Sequence, residues 1–168
     1  SVYRGIAPVS AGHDTIGGAI DVELVKPEFS ATDAISVTGG FQGGYRSVNE
    51  ADSYATMINV ANKAHAFQAY YSFMDANDRE SGDGTTVFPT RFEKAQYGLS
   101  YRIAHGENST AFGYHNVNTL PSGTPALAMD IDYIDSDRFT LGGNVQFSDW
   151  HIDWSLGLLS SDHGMANY

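Results

Sequence analysis

His163 and Met165, separated by Gly164 near the end of the chain, are the side chains best suited to bind a metal ion. Imidazole nitrogen and thioether sulfur are soft ligands that suit copper, especially Cu(I). Residues two apart in an extended chain point the same way, so both groups can approach one ion. Met129, which Asp130 follows, is a weaker second candidate. The spacing predicts a substrate-binding or copper-binding site at His163 and Met165, with Met129 as a further contact.

No arrangement typical of an enzyme occurs in the sequence. It contains no G-x-S-x-G, no H-E-x-x-H, no P-loop and no cysteine. Asp75, Asp78, Glu80 and Asp83 fall together in one expected loop. A solvated loop, or contact with divalent ions among lipopolysaccharide headgroups, explains them better than paired-carboxylate catalysis. We therefore predict neither an enzyme nor a cofactor.

Composition removes several other classes of protein. The 168 residues include 20 acidic and 9 basic side chains, a formal net charge of −11, which argues against a nucleic-acid partner. The absence of cysteine excludes a disulfide scaffold and a thiolate metal site. No stretch approaches the roughly 20 apolar residues of a membrane helix. A soluble β domain or a membrane β-barrel remains, since barrel strands alternate and their average hydropathy stays low.

A two-residue alternation of apolar and polar side chains dominates the chain and predicts an all-β, antiparallel fold. Beginning at Ile35, for example, the odd positions include Val37, Phe41 and Tyr45, while the even positions are polar or glycine. The same sorting predicts seven strands, near residues 35–46, 53–60, 67–73, 95–103, 110–115, 139–147 and 150–158.

The connections between these strands alternate in length. Residues 62–64, 104–108 and 148–149 are short and polar, whereas 75–94 and 116–138 are long, and 47–52 falls on the side of the long loops. Short turns on one side and long loops on the other are typical of an outer-membrane barrel. Aromatic residues at strand ends fit interfacial girdles, although cross-strand packing in a soluble β-sandwich would also produce them: Tyr45, Tyr54, Phe73, Phe139, Phe147 and Trp150.

An odd strand number does not fit a complete bacterial barrel, which has an even number of strands. The residues before Tyr168 at two-residue spacing are Ala166, Gly164 and Asp162, not the apolar set of a closing strand. We therefore expect an internal segment of a larger barrel, with its last residues in a loop.

Residues 4–27, RGIAPVSAGHDTIGGAIDVELVKP, do not follow the strand pattern. They resemble the end of the plug domain of TonB-dependent outer-membrane receptors, with departures at Ala11, Thr15 and Asp21. The matching positions are Arg4, Gly5, Gly12, Ile16, Gly17, Gly18, Ile20, Val22 and Lys26. The later segments SGDGTTVFPTRFEKAQYGLSYRI, ALAMDIDYIDSDRFTLGG and DHGMANY are also similar to segments of that family, with Ala166 in place of a usual Asp.

The resemblance implies that residues 1–30 are the C-terminal end of a plug domain and that residues 31–168 are the first strands of a 22-stranded barrel. It further implies a location in the outer membrane of a Gram-negative bacterium, among lipid and lipopolysaccharide. The receptor would import a metal chelate, a ferric siderophore or copper, with energy from the TonB complex acting through regions absent from this chain. Arg4, Gly5, Gly12, Gly17 and Gly18 would be structural plug residues.

Members of the receptor family that transport copper carry a segment similar to the one around His163 and Met165, but so do members that transport ferric siderophores. These two residues are therefore copper ligands or loop anchors. Three alternative classes of protein remain open. A small structural or adhesive barrel would have eight strands and no plug-like start. A passive porin would also lack the plug segment, and a soluble β-sandwich would bury the rows of Ile35 and Trp150 in a shared core.

Overall fold

The computed structural model describes residues 2–4, 18–20, 26–123, 125 and 128–166. All regular structure in these residues is β-strand, which confirms the all-β prediction. The strands are β1 Val2–Arg4, β2 Gly18–Ile20, β3 Ser36–Arg46, β4 Ala51–Ala61, β5 His65–Ala76, β6 Arg79–Glu80, β7 Thr86–Val87, β8 Phe92–His105, β9 Asn108–Thr119, β10 Asp130–Phe147 and β11 Trp150–Ala166. No helix in the described part of the chain is long and apolar enough to cross a membrane.

Seven strands form one antiparallel sheet in the order β11-β10-β9-β8-β5-β4-β3. Each strand therefore pairs with its neighbour along the chain, apart from the small hairpin of β6 and β7 between β5 and β8. The predicted number of seven sheet strands is confirmed. On the described residues, β3 and β11 are the two edges of the sheet.

The short connections are tight turns with identifiable chemistry. The side-chain oxygen of Asn62 accepts hydrogen bonds from the backbone N–H groups of Ala64 (2.9 Å) and His65 (2.8 Å), which closes the β4–β5 turn. Gly106 takes a φ of 65° in the turn before β9, a conformation that glycine adopts without strain. Ser148 has a φ of 53° in the turn before β11. These three turns lie at one end of the sheet, called the turn end below.

The opposite end, called the loop end, carries residues 47–50, 77–91, 120–123, 125 and 128–129. The expected long loops, 75–94 and 116–138, are shorter than predicted because the strands continue into them. Asp135 pairs with Asn118 and Asp137 pairs with Asn116, so polar residues extend the β9–β10 ladder. Backbone pairing needs no apolar side chain, so strand ends predicted from the apolar alternation fall short of the true ends.

Residues 26–34 run along the polar side of the sheet at the turn end. The backbone N–H of Ser30 donates to the Asn62 carbonyl (3.0 Å), and the N–H of Lys63 donates to the Thr32 carbonyl (2.9 Å). Pro27 is fully buried. The guanidinium of Arg102 on β8 lies 4.8 Å from the centre of the Phe29 ring, a cation–π contact. These contacts fasten the segment to the sheet before β3 begins.

Candidate functional site

The strand registers place the apolar rows predicted from the sequence on one face of the sheet. Tyr101 pairs with Phe112, Phe112 with Leu141, and Leu141 with Leu156, so one row crosses four strands. A second row, from Leu99 through Tyr114 and Phe139 to Leu158, runs beside it. We call this face the apolar face and the other the polar face.

No described residue covers the apolar face. Ile35, Phe41 and Trp150 are 72%, 76% and 71% exposed, and the buried apolar side chains among the described residues are small: Ala51, Ala66, Ala76 and Pro27. The chain exposes 11638 Å², against about 8100 Å² expected for a compact monomer of 18.2 kDa. A soluble β-sandwich would bury the rows of Ile35 and Trp150, and this sheet leaves both rows exposed.

Aromatic rings concentrate toward the loop end of the apolar face. The Tyr54 ring lies 5.3 Å from the ring of Phe73, and the Tyr114 ring lies 4.9 Å from that of Phe139, centre to centre. Tyr97 approaches Tyr114 edge-on at 6.0 Å. These spacings favour tilted or edge-to-face attraction between the rings. Cross-strand aromatic pairs therefore join neighbouring strands along this band.

Carboxylates replace apolar residues beyond this aromatic band. Asp75 pairs with Asp52 on one side and Glu93 on the other, all on the apolar face. The Tyr114 hydroxyl donates to the Asp137 carboxylate (2.6 Å), and the Asn116 amide donates to the same carboxylate (3.0 Å). Carboxylates thus enter the apolar face toward the loop end, with Asp137 level with Tyr97 and the others beyond it.

The polar face borders a cavity of about 1280 Å³, lined by residues from all seven strands of the sheet and by Lys26 and Pro27. Three sets of hydrogen-bonded side chains lie on this face. The Gln68 amide donates to Asn59 (2.9 Å), and the Tyr70 hydroxyl is bonded to a ring nitrogen of His115. Arg102 donates to the Ser109 hydroxyl (2.9 Å), which donates in turn to Asn144; their positions join β8, β9 and β10.

The structure places His163 and Met165 in β11, where they pair with Ile134 and Ile131. The prediction that they lie in a loop after the seventh strand is therefore wrong, because β11 continues to Ala166 alongside the polar start of β10. Both register on the polar face and both are exposed. Met129 lies in the connection before β10 and is 44% exposed. The described residues contain no group of three or more His, Cys, Asp or Glu side chains arranged to hold a metal ion.

The plug-like residues are described only in part. Arg4 in β1 pairs with Gly18 in β2, so the backbone brings the first and last of these motif residues together. Gly5, Gly12 and Gly17 lie outside the described residues. No family model, curated protein or solved structure matches the chain.

Proposed function

We propose that this chain forms part of the wall of an outer-membrane β-barrel of the TonB-dependent receptor type, which imports a metal chelate. The uncovered apolar face of the single seven-stranded sheet carries this proposal. Apolar side chains of this size must be removed from water, and no second layer in the described residues covers them. Lipid hydrocarbon is the cover that we propose.

The length of the apolar face supports the proposal that the sheet spans a membrane. From Trp150 to Leu158, the outward row on β11 extends for about 27 Å at about 3.4 Å per residue. A strand tilt of about 40° reduces this to about 21 Å of depth, close to the roughly 25 Å apolar band of outer-membrane barrels. The aromatic band and then the carboxylates follow toward the loop end, where headgroups would lie.

The start of the chain supports the receptor type within the barrel class. Backbone pairing of Arg4 with Gly18 agrees with a plug-like segment that folds back on itself, and residues 26–34 lie along the polar face. In the proposal, residues 1–30 end the plug and residues 31–168 begin the barrel. A cavity of about 1280 Å³ on the polar face is then interior space of the barrel.

The test uses single cysteines in the gene product that contains this chain, because the chain itself has none. Leu156→Cys and Leu141→Cys should react with a lipid-soluble maleimide but slowly with a charged one, when the protein is in vesicles. Their neighbours Ser155→Cys and Thr140→Cys, on the polar face, should react with the charged reagent. Equal reaction of both faces with the charged maleimide contradicts a lipid-facing sheet and hence the proposal.

The imported ligand has its own test. Cells carrying the gene product are supplied with copper or with a panel of ferric siderophores, in the wild type and in the double variant His163→Ala/Met165→Ala. Loss of copper uptake in the double variant supports a soft-ligand site on β11. Siderophore uptake that the double variant leaves unchanged assigns His163 and Met165 a structural role, and uptake of none of these metals contradicts the receptor function.

A further inference from the structure

Charged side chains are sorted between the two faces of the sheet. The four lysine and arginine residues of the seven strands, Arg46, Lys94, Arg102 and Arg138, all register on the polar face. Six carboxylates register on the apolar face, namely Asp52, Asp75, Glu93, Asp135, Asp137 and Asp162. Asp130 and Asp132 lie at the irregular start of β10. Beyond that start, the polar face carries all four strand cations, although the chain has a formal charge of −11. Asp153, a carboxylate on the polar face, lies near the turn end, 3.3 Å from a ring nitrogen of His151.

Two of these cations flank a patch of uncharged hydrogen-bonding groups. Arg138 on β10 pairs with His115 on β9, whose other neighbour is Gly98 on β8. Lys94 lies four residues before Gly98 on the same face, about 14 Å along β8. Between these two levels, the polar-face row consists of Ser72, Gln96, Val117, Ser136 and Ser161. Amide and hydroxyl groups thus fill most of the space between the two positive charges.

Within the described residues, neither Lys94 nor Arg138 belongs to an ion pair. The ion pairs formed there include Lys63 with Asp33 and His151 with Asp153. Arg138, His115 and Gln96 line the cavity of about 1280 Å³. Arg102, in contrast, already donates to Ser109 and stacks on Phe29. A guanidinium without an ion-pair partner in a cavity lining attracts anionic oxygen groups, which it binds in a bidentate manner. Lys94 adds a second positive charge on the same face, nearer the loop end.

We propose that Arg138 binds an anionic oxygen group of the solute that enters this cavity, with His115, Gln96 and Ser72 as hydrogen-bonding partners. Lys94, nearer the loop end on the same face, contacts a second anionic group of that solute. A chelate with several carboxylate or phosphate oxygens offers one anionic group to each of the two cations. The inference deepens the proposed function by naming the charge of the transported chelate. A bare copper cation would meet positive charge at this place and is therefore disfavoured there.

The experiment measures binding of ferric citrate, an anionic carboxylate chelate, to the purified gene product in detergent, with a neutral ferric trihydroxamate as the comparison ligand. Arg138→Gln and Lys94→Gln should each weaken ferric citrate binding by about tenfold or more, since each removes a charge-assisted contact. Arg138→Lys keeps the charge but loses the bidentate fork, so it should weaken binding less than Arg138→Gln does. Arg46→Gln is the matched control, a cation on the same face in the distant strand β3.

The expected result also includes weaker ferric citrate binding as salt concentration rises, with neutral chelate binding unchanged. Undetectable binding of ferric citrate, or equal loss in Arg46→Gln and Arg138→Gln, overturns the inference. Cysteine labelling of the two faces separates this failure from failure of the proposed function. If labelling alternates while Arg138→Gln binds ferric citrate normally, the barrel proposal stands and the anion site is refuted.

Discussion

Replacing Leu156 by arginine should destabilise the protein strongly in a lipid bilayer, although the side chain is 58% exposed in the chain itself. Leu156 lies two residues from Trp154, the centre of the outward row on β11, so it is about 7 Å away along the strand. With a tilt of about 40°, this places it about 5 Å from the bilayer midplane. Arginine costs about 2–4 kcal/mol at the midplane and about 0–1 at the interface, which gives about 2 kcal/mol here, or roughly 30-fold in the folding equilibrium.

Ser155→Arg is the matched control, because Ser155 adjoins Leu156 on the same strand but faces the cavity side. Reversible urea unfolding of both variants in lipid vesicles, followed by tryptophan fluorescence, gives the two free energies. If the apolar face met water instead, Leu156→Arg would change the free energy of unfolding by no more than about 0.5 kcal/mol, as is usual for surface substitutions. A cost for Leu156→Arg no larger than that of Ser155→Arg therefore refutes the lipid-facing assignment.

Two further predictions concern the loop end and the sheet. The Ser81 hydroxyl and the backbone N–H of Thr85 donate to Asp83 and lower the pKa of its carboxyl to about 2. The stabilisation from this carboxylate is therefore complete above pH 3.8 and is lost as pH falls through 2. Ser81→Ala should raise this pKa toward 3.8 in an NMR titration, and an unchanged value would contradict the hydrogen-bond explanation. Gly143→Ala places a methyl group 2.4 Å from the Ser109 carbonyl oxygen and should lower the free energy of unfolding by about 1–3 kcal/mol. Gly157→Ala is the control, because open space surrounds Gly157, and it should leave the free energy of unfolding nearly unchanged. Equal losses in the two variants would show that the close contact at Gly143 does not limit stability.

The period of two in the sequence was sufficient to predict the seven strands and the side of each connection, because every apolar row has a polar row beside it. It was insufficient to locate the strand ends. In β10, Asp135 and Asp137 occupy outward positions of a well-paired strand. Their side chains are as polar as those of a loop. The hydrophobic pattern therefore cannot reveal that their backbone pairs with β9.

The candidate sites show the same limit. The spacing of His163 and Met165 was read correctly as extended, but their place in β11 rather than a loop depends on the partner strand β10. The contact of Phe29 with Arg102 joins residues far apart in the chain, and nothing local in the sequence indicates it. The position of Lys94 and Arg138 on the polar face could have been predicted from the sequence, since each lies at a polar position of its strand's two-residue alternation.

The direction of the edge strands limits what can pair with the sheet. β3 runs from the turn end to the loop end, and so does β11, because an odd number of antiparallel strands returns to the starting direction. Joining these two edges directly with the apolar faces on the same side, within one chain or between two copies, would create a parallel ladder unlike any other in the sheet. A peptide designed to cap either edge in the antiparallel manner must therefore have its N-terminus at the loop end and its C-terminus at the turn end.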